Sequence, residues 1–272
     1  PIEVYSSAPV MRMEGGDLGW TGVTGEWSWL VQPYLGRSDL SMPNQIELEV
    51  RDILGLNLSA SRGDWTLRAG HLSTALTVDA PMLSQAFDGL AALCANGMGD
   101  PAACTQGSAL RAKGKRSTFT SVGASWDNGD AFVTAEWGSR SSDSYIADAS
   151  TGYLSAGLRR GKWTPYLTYA TFQNRSPTRY AGSTVPVLGA MTNAIVSQLL
   201  TSNPMDQDSV GLGVRYDFAR DLALKLQWDK VRTQCRDHQP DTCKGVFIEA
   251  VPAFADRSQT VDLFSVSLDF VF

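Results

Sequence analysis

The last stretch of the chain, Thr260–Phe272, reads TVDLFSVSLDFVF. Its apolar set comprises Phe264, Val266, Leu268, Phe270 and Phe272. Its polar set comprises Ser265, Ser267 and Asp269. Because successive side chains of a β-strand point to opposite faces, this alternation predicts a strand with one apolar and one polar face.

The same alternation recurs along the chain, in segments of about the length that a tilted strand needs to cross a bilayer, roughly 9–11 residues. We count eleven: 10–20, 26–36, 48–60, 64–76, 115–126, 130–140, 151–160, 163–173, 208–218, 222–232 and 259–272. Short turns are expected at 21–25, 61–63, 127–129, 161–162 and 219–221, where Gly, Asn or Asp suits a hairpin. Long loops are expected at 37–47, 77–114, 141–150, 174–207 and 233–258. This strict alternation of short and long connections predicts an antiparallel meander.

Tryptophans indicate that the apolar face meets lipid. Five of the eight Trp lie close to the short turns, as an interfacial girdle requires: Trp20, Trp27, Trp65, Trp126 and Trp163. The opposite face is rich in Ser, Thr, Gly, Arg and Asp, which suits water better than a packed core. A soluble lipocalin-like barrel or sandwich is the alternative. In lipid, a sheet must close into a barrel to satisfy its backbone.

Composition excludes other classes. The chain has 272 residues, 43% hydrophobic and 19% charged, so a folded protein is expected rather than disorder. No stretch of 18 apolar residues exists, which excludes a transmembrane helix. With a net charge of −5 and scattered basic residues, the chain offers no nucleic-acid footprint and no polybasic membrane segment.

Four cysteines fall in two close pairs, Cys94 with Cys104 and Cys235 with Cys243. Each pair encloses a short polar segment, so we expect two local disulfides and an oxidising compartment. A zinc site is the alternative, although neither pair has the C-x2-C spacing and His238 is the one histidine near a cysteine.

These features together resemble Gram-negative outer-membrane porins over essentially the whole chain. The terminal strand resembles the signal read by the barrel-assembly machinery, carried here by Phe264, Leu268, Phe270 and Phe272. The resemblance implies a bacterial outer-membrane location, contact with lipid and lipopolysaccharide, periplasmic turns, extracellular loops and a homotrimer. We expect no cofactor, no metal and no nucleic-acid partner.

The chain 1–272 is expected to form a single barrel domain, but its strand count is odd. Bacterial barrels have an even number of strands, whereas the sequence predicts eleven. In the porin topology the first strand would run inward, so that Pro1–Pro9 would belong to an extracellular loop. We therefore expect a C-terminal portion of a longer barrel, and five more strands would make sixteen. A miscounted strand within 1–13 or within 77–114 is the alternative.

Two long loops contain helix-like patterns. In loop 77–114 the run 81–95 opens at Pro81 and stops at Asn96. In loop 174–207 a second run opens at Pro186 and ends at Asn203. Either helix could narrow the lumen or cap the barrel mouth.

Charged side chains on the polar face are the candidate pore lining. The alternation assigns to it Arg51, Arg68, Glu136, Arg159, Arg215, Asp217, Lys225, Asp229 and Asp269, together with Asp17. Both signs occur, which suggests a transverse field and leaves ion preference open. The alternative for each residue is a salt bridge that stiffens the wall.

Catalysis is not expected. The chain has two histidines, His71 and His238, and neither belongs to a recognisable nucleophile motif. The sequence therefore predicts a channel for passive diffusion of small hydrophilic solutes or ions. A structural, adhesin or receptor-type barrel with a plugged lumen is the alternative.

Overall fold

The computed structural model describes residues 2–6, 12–42, 45–177, 179–180, 182, 186–201, 205–235, 243–247 and 252–270. Within these ranges, twelve strands form one antiparallel sheet. They are β1 (Glu14–Asp17), β2 (Trp20–Thr24), β3 (Trp27–Met42), β4 (Ile46–Arg62), β5 (Trp65–Asp79), β6 (Lys115–Asp127), β7 (Ala131–Ser142), β8 (Ala149–Leu158), β9 (Trp163–Asn174), β10 (Gln207–Ala219), β11 (Leu222–Thr233) and β12 (Thr260–Phe270). The helices are α1 (Ile2–Tyr5), α2 (Pro81–Ala95), α3 (Pro101–Leu110), α4 (Leu188–Thr201) and α5 (Pro252–Ala255).

Strands β1 and β2 form one interrupted strand along β3. A single register runs through both, from Glu14 to Thr24. The interruption falls at Leu18, whose N–H donates to the carbonyl of Pro33 (3.1 Å). Proline has no N–H with which to return the second bond of the pair. The described sheet therefore makes eleven crossings, as the alternation predicts.

The first crossing lies further along the chain than expected. It runs from residue 14 to residue 24 instead of 10–20, and its hairpin turn is 25–26 instead of 21–25. Gly25 has a φ of 62°, which is the left-handed conformation that such a tight turn needs.

The predicted alternation of short and long connections holds only in part. The loop expected at 37–47 is mostly strand, because β3 continues to Met42 and β4 starts at Ile46. The connection from β7 to β8 is also brief, at 143–148. Three long connections remain, at 80–114, 175–206 and 234–259.

The two faces of the sheet differ in chemistry. One face, which we call the outer face, exposes large apolar side chains along most strands; Phe264 is 80% exposed and Val266 72%. Aromatic rings mark its short-turn end, where Trp65 lies opposite Trp126 and Trp163 stacks on Tyr216 with ring centroids 4.2 Å apart. This pattern is typical of a barrel wall facing lipid.

Helices cover the long-loop end of the opposite face. Helices α2, α3 and α4 pack together, and their shared apolar cluster, which includes Phe87, Leu90 and Leu199, rests against Leu76 and Val78 of β5. Both expected helices, at 81–95 and after Pro186, are confirmed.

The sheet is open in the described part of the chain. The interrupted strand formed by β1 and β2 lies at one edge and β12 lies at the other. No helix in the described ranges is long and apolar enough to span a membrane.

Candidate functional site

The candidate site is the polar face, which is the side of the sheet opposite the outer face. Three cavities of about 730, 340 and 320 Å³ lie along it. Eight of the nine predicted lining residues border the two larger ones. The first cavity has Arg159, Arg215, Asp217, Lys225, Asp229 and Asp269, and the second has Arg68 and Glu136. Asp17 also lies on this face, where it accepts a hydrogen bond from Gln32 (2.6 Å).

Arg51 is the exception, and its assignment to the polar face is wrong. The pairing of β4 with β5 shifts between Arg51 and Leu54, where Asp52 adopts a φ of 51°. A bulge of this kind adds one residue and so reverses the alternation beyond it. Val50 therefore takes the polar face, and Arg51 lies on the outer face beside Asp39 (3.3 Å) and Glu49.

An ion-pair cluster occupies the short-turn side of the first cavity. The guanidinium of Arg215 donates to Asp217 and to Asp269, at 2.9 Å in both cases. Lys225 lies directly opposite Arg215 in the sheet. Like charges at paired positions of a sheet repel each other, and the two carboxylates offset the repulsion between these adjacent cations.

A ladder of contacts continues from this cluster towards the long-loop end. The ammonium of Lys225 lies 5.3 Å from the ring centroid of Tyr166, and the Tyr166 hydroxyl donates to Gln227 Oε1 (2.6 Å). Gln227 Nε2 in turn donates to the carboxylate of Asp229 (2.8 Å). Glycine at position 211 makes room for the Asp229 carboxylate, because a Cβ there would lie 2.4 Å from one of its oxygens.

Arg159 borders the cavity at the short-turn end. It donates to both carboxylate oxygens of Asp127, at 2.6 and 2.7 Å, and to the carbonyl of Gly129. Its guanidinium also lies 5.3 Å from the ring centroid of Phe132. This bidentate pair holds the β6–β7 turn against β8 and matches the wall-stiffening alternative for this residue.

Arg68 and Glu136 face the second cavity from strands β5 and β7. Between them lies Gly123 of β6, which pairs with both. The lining is otherwise rich in hydroxyl and amide groups, from Asn57, Ser59, Ser121, Ser125, Thr134 and Tyr153.

The segment 2–6 also lies on the polar face, and the sequence did not reveal this. Helix α1 packs against β8 and β9, and the Glu3 side chain, 1% exposed, accepts a hydrogen bond from Gln207 Nε2 (2.8 Å). Gln207 Oε1 accepts the N–H of Val246 from the long connection before β12 (3.0 Å). Glu3 borders the first cavity and Val4 the third, so this segment stands between them.

Loop residues complete the cover at the long-loop end. Tyr145 packs against Phe87 with ring centroids 5.9 Å apart, and burial raises the pKa of Tyr145 to about 12, so its phenol stays neutral. Arg140 of β7 donates to the carbonyl of Ala147, at 3.2 Å from Nε and 2.9 Å from Nη2. These two hydrogen bonds tie the connection at 143–148 to the end of β7.

The predicted disulfides are both present, Cys94 with Cys104 and Cys235 with Cys243. The first joins the end of α2 to the start of α3. The second closes the base of the long connection that contacts Gln207.

The remaining predicted residues lie elsewhere. His71 is on the outer face, where its Nδ1 lies 2.8 Å from the hydroxyl of Thr120. In the assembly signal, Phe264, Leu268 and Phe270 are exposed on the outer face of β12. His238 and Phe272 lie outside the described residues.

Solved structures share this architecture at low sequence identity. The outer-membrane channel DcaP of Acinetobacter baumannii superposes with a TM-score of 0.51 and 10% identity, over 94% of this chain and 62% of that one. The fold is that of a bacterial outer-membrane β-barrel. Together with the apolar outer face, this fold places the protein in the bacterial outer membrane.

Two further structures are similar. The Vibrio cholerae outer-membrane protein OmpT has a TM-score of 0.48 and 12% identity, over 93% of this chain and 63% of that one. Pseudomonas aeruginosa OccD3 has a TM-score of 0.41 and 9% identity, over 95% and 60%. The chain thus spans about three fifths of the length of these proteins. No family model matches the sequence, and no curated protein matches it.

Proposed function

We propose that the protein is a porin-like channel for passive diffusion of small hydrophilic solutes or ions across the outer membrane. The observation that carries this proposal is the unfilled, charged polar face opposite an apolar outer face. Buried wall positions that needed only to pack would be apolar, because an unpaired charge is costly away from water. Charges that border open cavities instead suit a wetted permeation path.

Two features would narrow that path. Segment 2–6 stands between the first and third cavities, with Glu3 tied to Gln207. The α2–α4 cluster covers the long-loop end of the polar face. Both leave cavities beside them, so they support a restricted channel rather than a wide one.

Single-channel recording in planar lipid bilayers tests the proposal. The full-length protein should give discrete, stable conductance steps in KCl. A folded protein that inserts into the bilayer but shows no steps would contradict it. Heat-modifiable mobility on a gel, which is shown by folded outer-membrane barrels, serves as the folding control.

A second candidate function is a receptor or adhesin whose lumen is closed. The packing of α2, α3 and α4 into one disulfide-pinned cluster favours it, because such a cluster could act as a plug and a ligand platform. Substituting Leu199, which is fully buried in that cluster, with Ala separates the two. Steps that appear only in Leu199→Ala would favour the plugged barrel.

We propose no catalytic role. The imidazole of His71 contacts the hydroxyl of Thr120 on the outer face, although the residue also borders the third cavity. Hydrolysis of a phospholipid or peptide that is lost in His71→Ala would overturn this part of the proposal.

Assembly is proposed on the resemblance to porins. The outward aromatic residues of β12 would be read by the barrel-assembly machinery, and the outer face would contact lipid, lipopolysaccharide or further copies in a homotrimer. Cross-linking of the protein in native membranes tests the trimer, and Phe270→Ser tests the assembly signal through the yield of folded protein.

A further inference from the structure

Two opposite charges on the polar face stand out because no residue that the structure describes pairs with them. Among the nine charged residues predicted to line the pore, seven have an ion pair, hydrogen bond or ring contact for their charged group. Arg68 and Glu136 have none among the residues that the structure describes. Both nevertheless point into the same cavity of about 340 Å³.

The sheet keeps these two charges apart. Arg68, Gly123 and Glu136 occupy one row across β5, β6 and β7, with Gly123 in the middle. Neighbouring strands are roughly 4.8 Å apart, so the Cα atoms of Arg68 and Glu136 are separated by about 10 Å. Because Gly123 has no side chain, the space between the guanidinium and the carboxylate is open.

The lining of this gap suits a small polar guest. Ser121 and Ser125 flank Gly123 on the same face of β6, and Asn57 and Thr134 border the cavity from its two sides. Hydroxyl and amide groups can donate or accept, so they can solvate either end of a guest. One cation and one anion give the site no net charge, which disfavours a simple anion or cation as its occupant.

We propose that Arg68 and Glu136 form a subsite for zwitterionic solutes of α-amino-acid size. The carboxylate of the solute binds the Arg68 guanidinium, and its ammonium binds the Glu136 carboxylate above Gly123. Arginine is suited to this role because its planar fork matches a carboxylate. This inference rests on the proposed channel function and names a class of solute for it.

The test uses glycine as the zwitterion and glycerol as a neutral solute of similar size. Each is added to single channels of the full-length protein conducting KCl, and the fractional block of the current is measured. We expect glycine to block more than glycerol. Arg68→Gln and Glu136→Gln should each raise the glycine concentration for half-block by roughly two- to fivefold, the change expected for loss of one exposed charge contact.

Three variants control the experiment. Arg62→Gln removes one cation from the outer face, where Arg62 pairs with Glu26, and should leave the glycine block unchanged. The double swap Arg68→Glu with Glu136→Arg keeps both charges and should restore the block. Gly123→Ala places a methyl group 3.3 Å from the Ala135 carbonyl and beside the Glu136 stem, in the gap, and should weaken it.

Reversal potentials distinguish the subsite from a general field effect. Both single variants should weaken the glycine block, although they shift ion preference in opposite directions, Arg68→Gln towards cations and Glu136→Gln towards anions. Unchanged glycine block in both variants would overturn the subsite while leaving the channel intact. Absence of KCl conductance in the folded wild-type protein would overturn the channel function and the subsite with it.

Discussion

Tyr166 donates a hydrogen bond to Gln227 across the full width of the intervening strand β10 (2.6 Å). The two residues lie on β9 and β11, and both pair with Gly213. A Cβ at Gly213 would come within 2.1 Å of the Tyr166 ring, so glycine is what lets the ring lie flat on the wall. In this position the ring also contacts the ammonium of Lys225.

A side chain at Gly213 should therefore dislodge this contact. We expect Gly213→Val to lower the free energy of unfolding by about 1–3 kcal/mol, the usual cost of overpacking. Denaturant titration of the protein in detergent or lipid measures it. Gly16→Val is the matched control, because a Cβ there meets nothing within 4 Å. Equal losses in both variants would contradict the explanation.

Neutralising Arg215 should change ion preference more than stability. Arg215→Gln leaves Asp217 and Asp269 without their shared cation, which makes this part of the polar face more negative. These side chains are partly exposed, so we expect a stability change below about 1 kcal/mol. The reversal potential in a KCl gradient should shift towards cation preference. An unchanged reversal potential would mean that Arg215 only stabilises the barrel wall and does not affect ion selectivity.

Alternation alone could predict which residues share a face, because lipid on one side and water on the other enforce a period of two. It could not predict the face on which Arg51 lies, since the bulge depends on a left-handed backbone conformation at Asp52, a position where the sequence has no glycine to indicate it. The same limit applies to strand ends. Segment 37–47 is polar enough to read as a loop, yet β3 and β4 continue to pair there.

Two further features had weaker signals. Helix α3 begins at Asp100-Pro101, and Asp100 accepts from the N–H groups of Ala102 (3.0 Å) and Ala103 (3.2 Å), so its cap and proline could have predicted it. The bond between Glu3 and Gln207 joins positions 204 residues apart. Nothing local in a sequence indicates such a contact.

The outer face and the polar face can be compared at adjacent positions of β12. Val266 is on the outer face and Ser265 on the polar face. We expect Val266→Arg to lower the free energy of unfolding by up to about 2–4 kcal/mol, depending on the depth of the residue in the bilayer, because lipid cannot solvate the charge. Ser265→Arg should cost less than about 1 kcal/mol if its side chain meets water. Folding titrations into liposomes measure both, and a reversed order would show that the faces are assigned wrongly.

The disulfide between Cys94 and Cys104 should stabilise the helical cover and not the barrel. It closes a loop with a sequence separation of 10, and replacing both residues with Ser should destabilise the α2–α3 unit by about 3 kcal/mol. The sheet pairing does not pass through this unit, so the heat-modifiable mobility of the barrel should persist. Limited proteolysis should cut within 96–100 faster than in the wild-type protein.

The double variant Cys235→Ser with Cys243→Ser is the matched control, since it loosens another loop and should leave that cleavage rate unchanged. If the α2–α4 cluster narrows the channel, the first variant should also show noisier current. Loss of folded barrel in that variant would instead mean that the cover is needed for the wall to form.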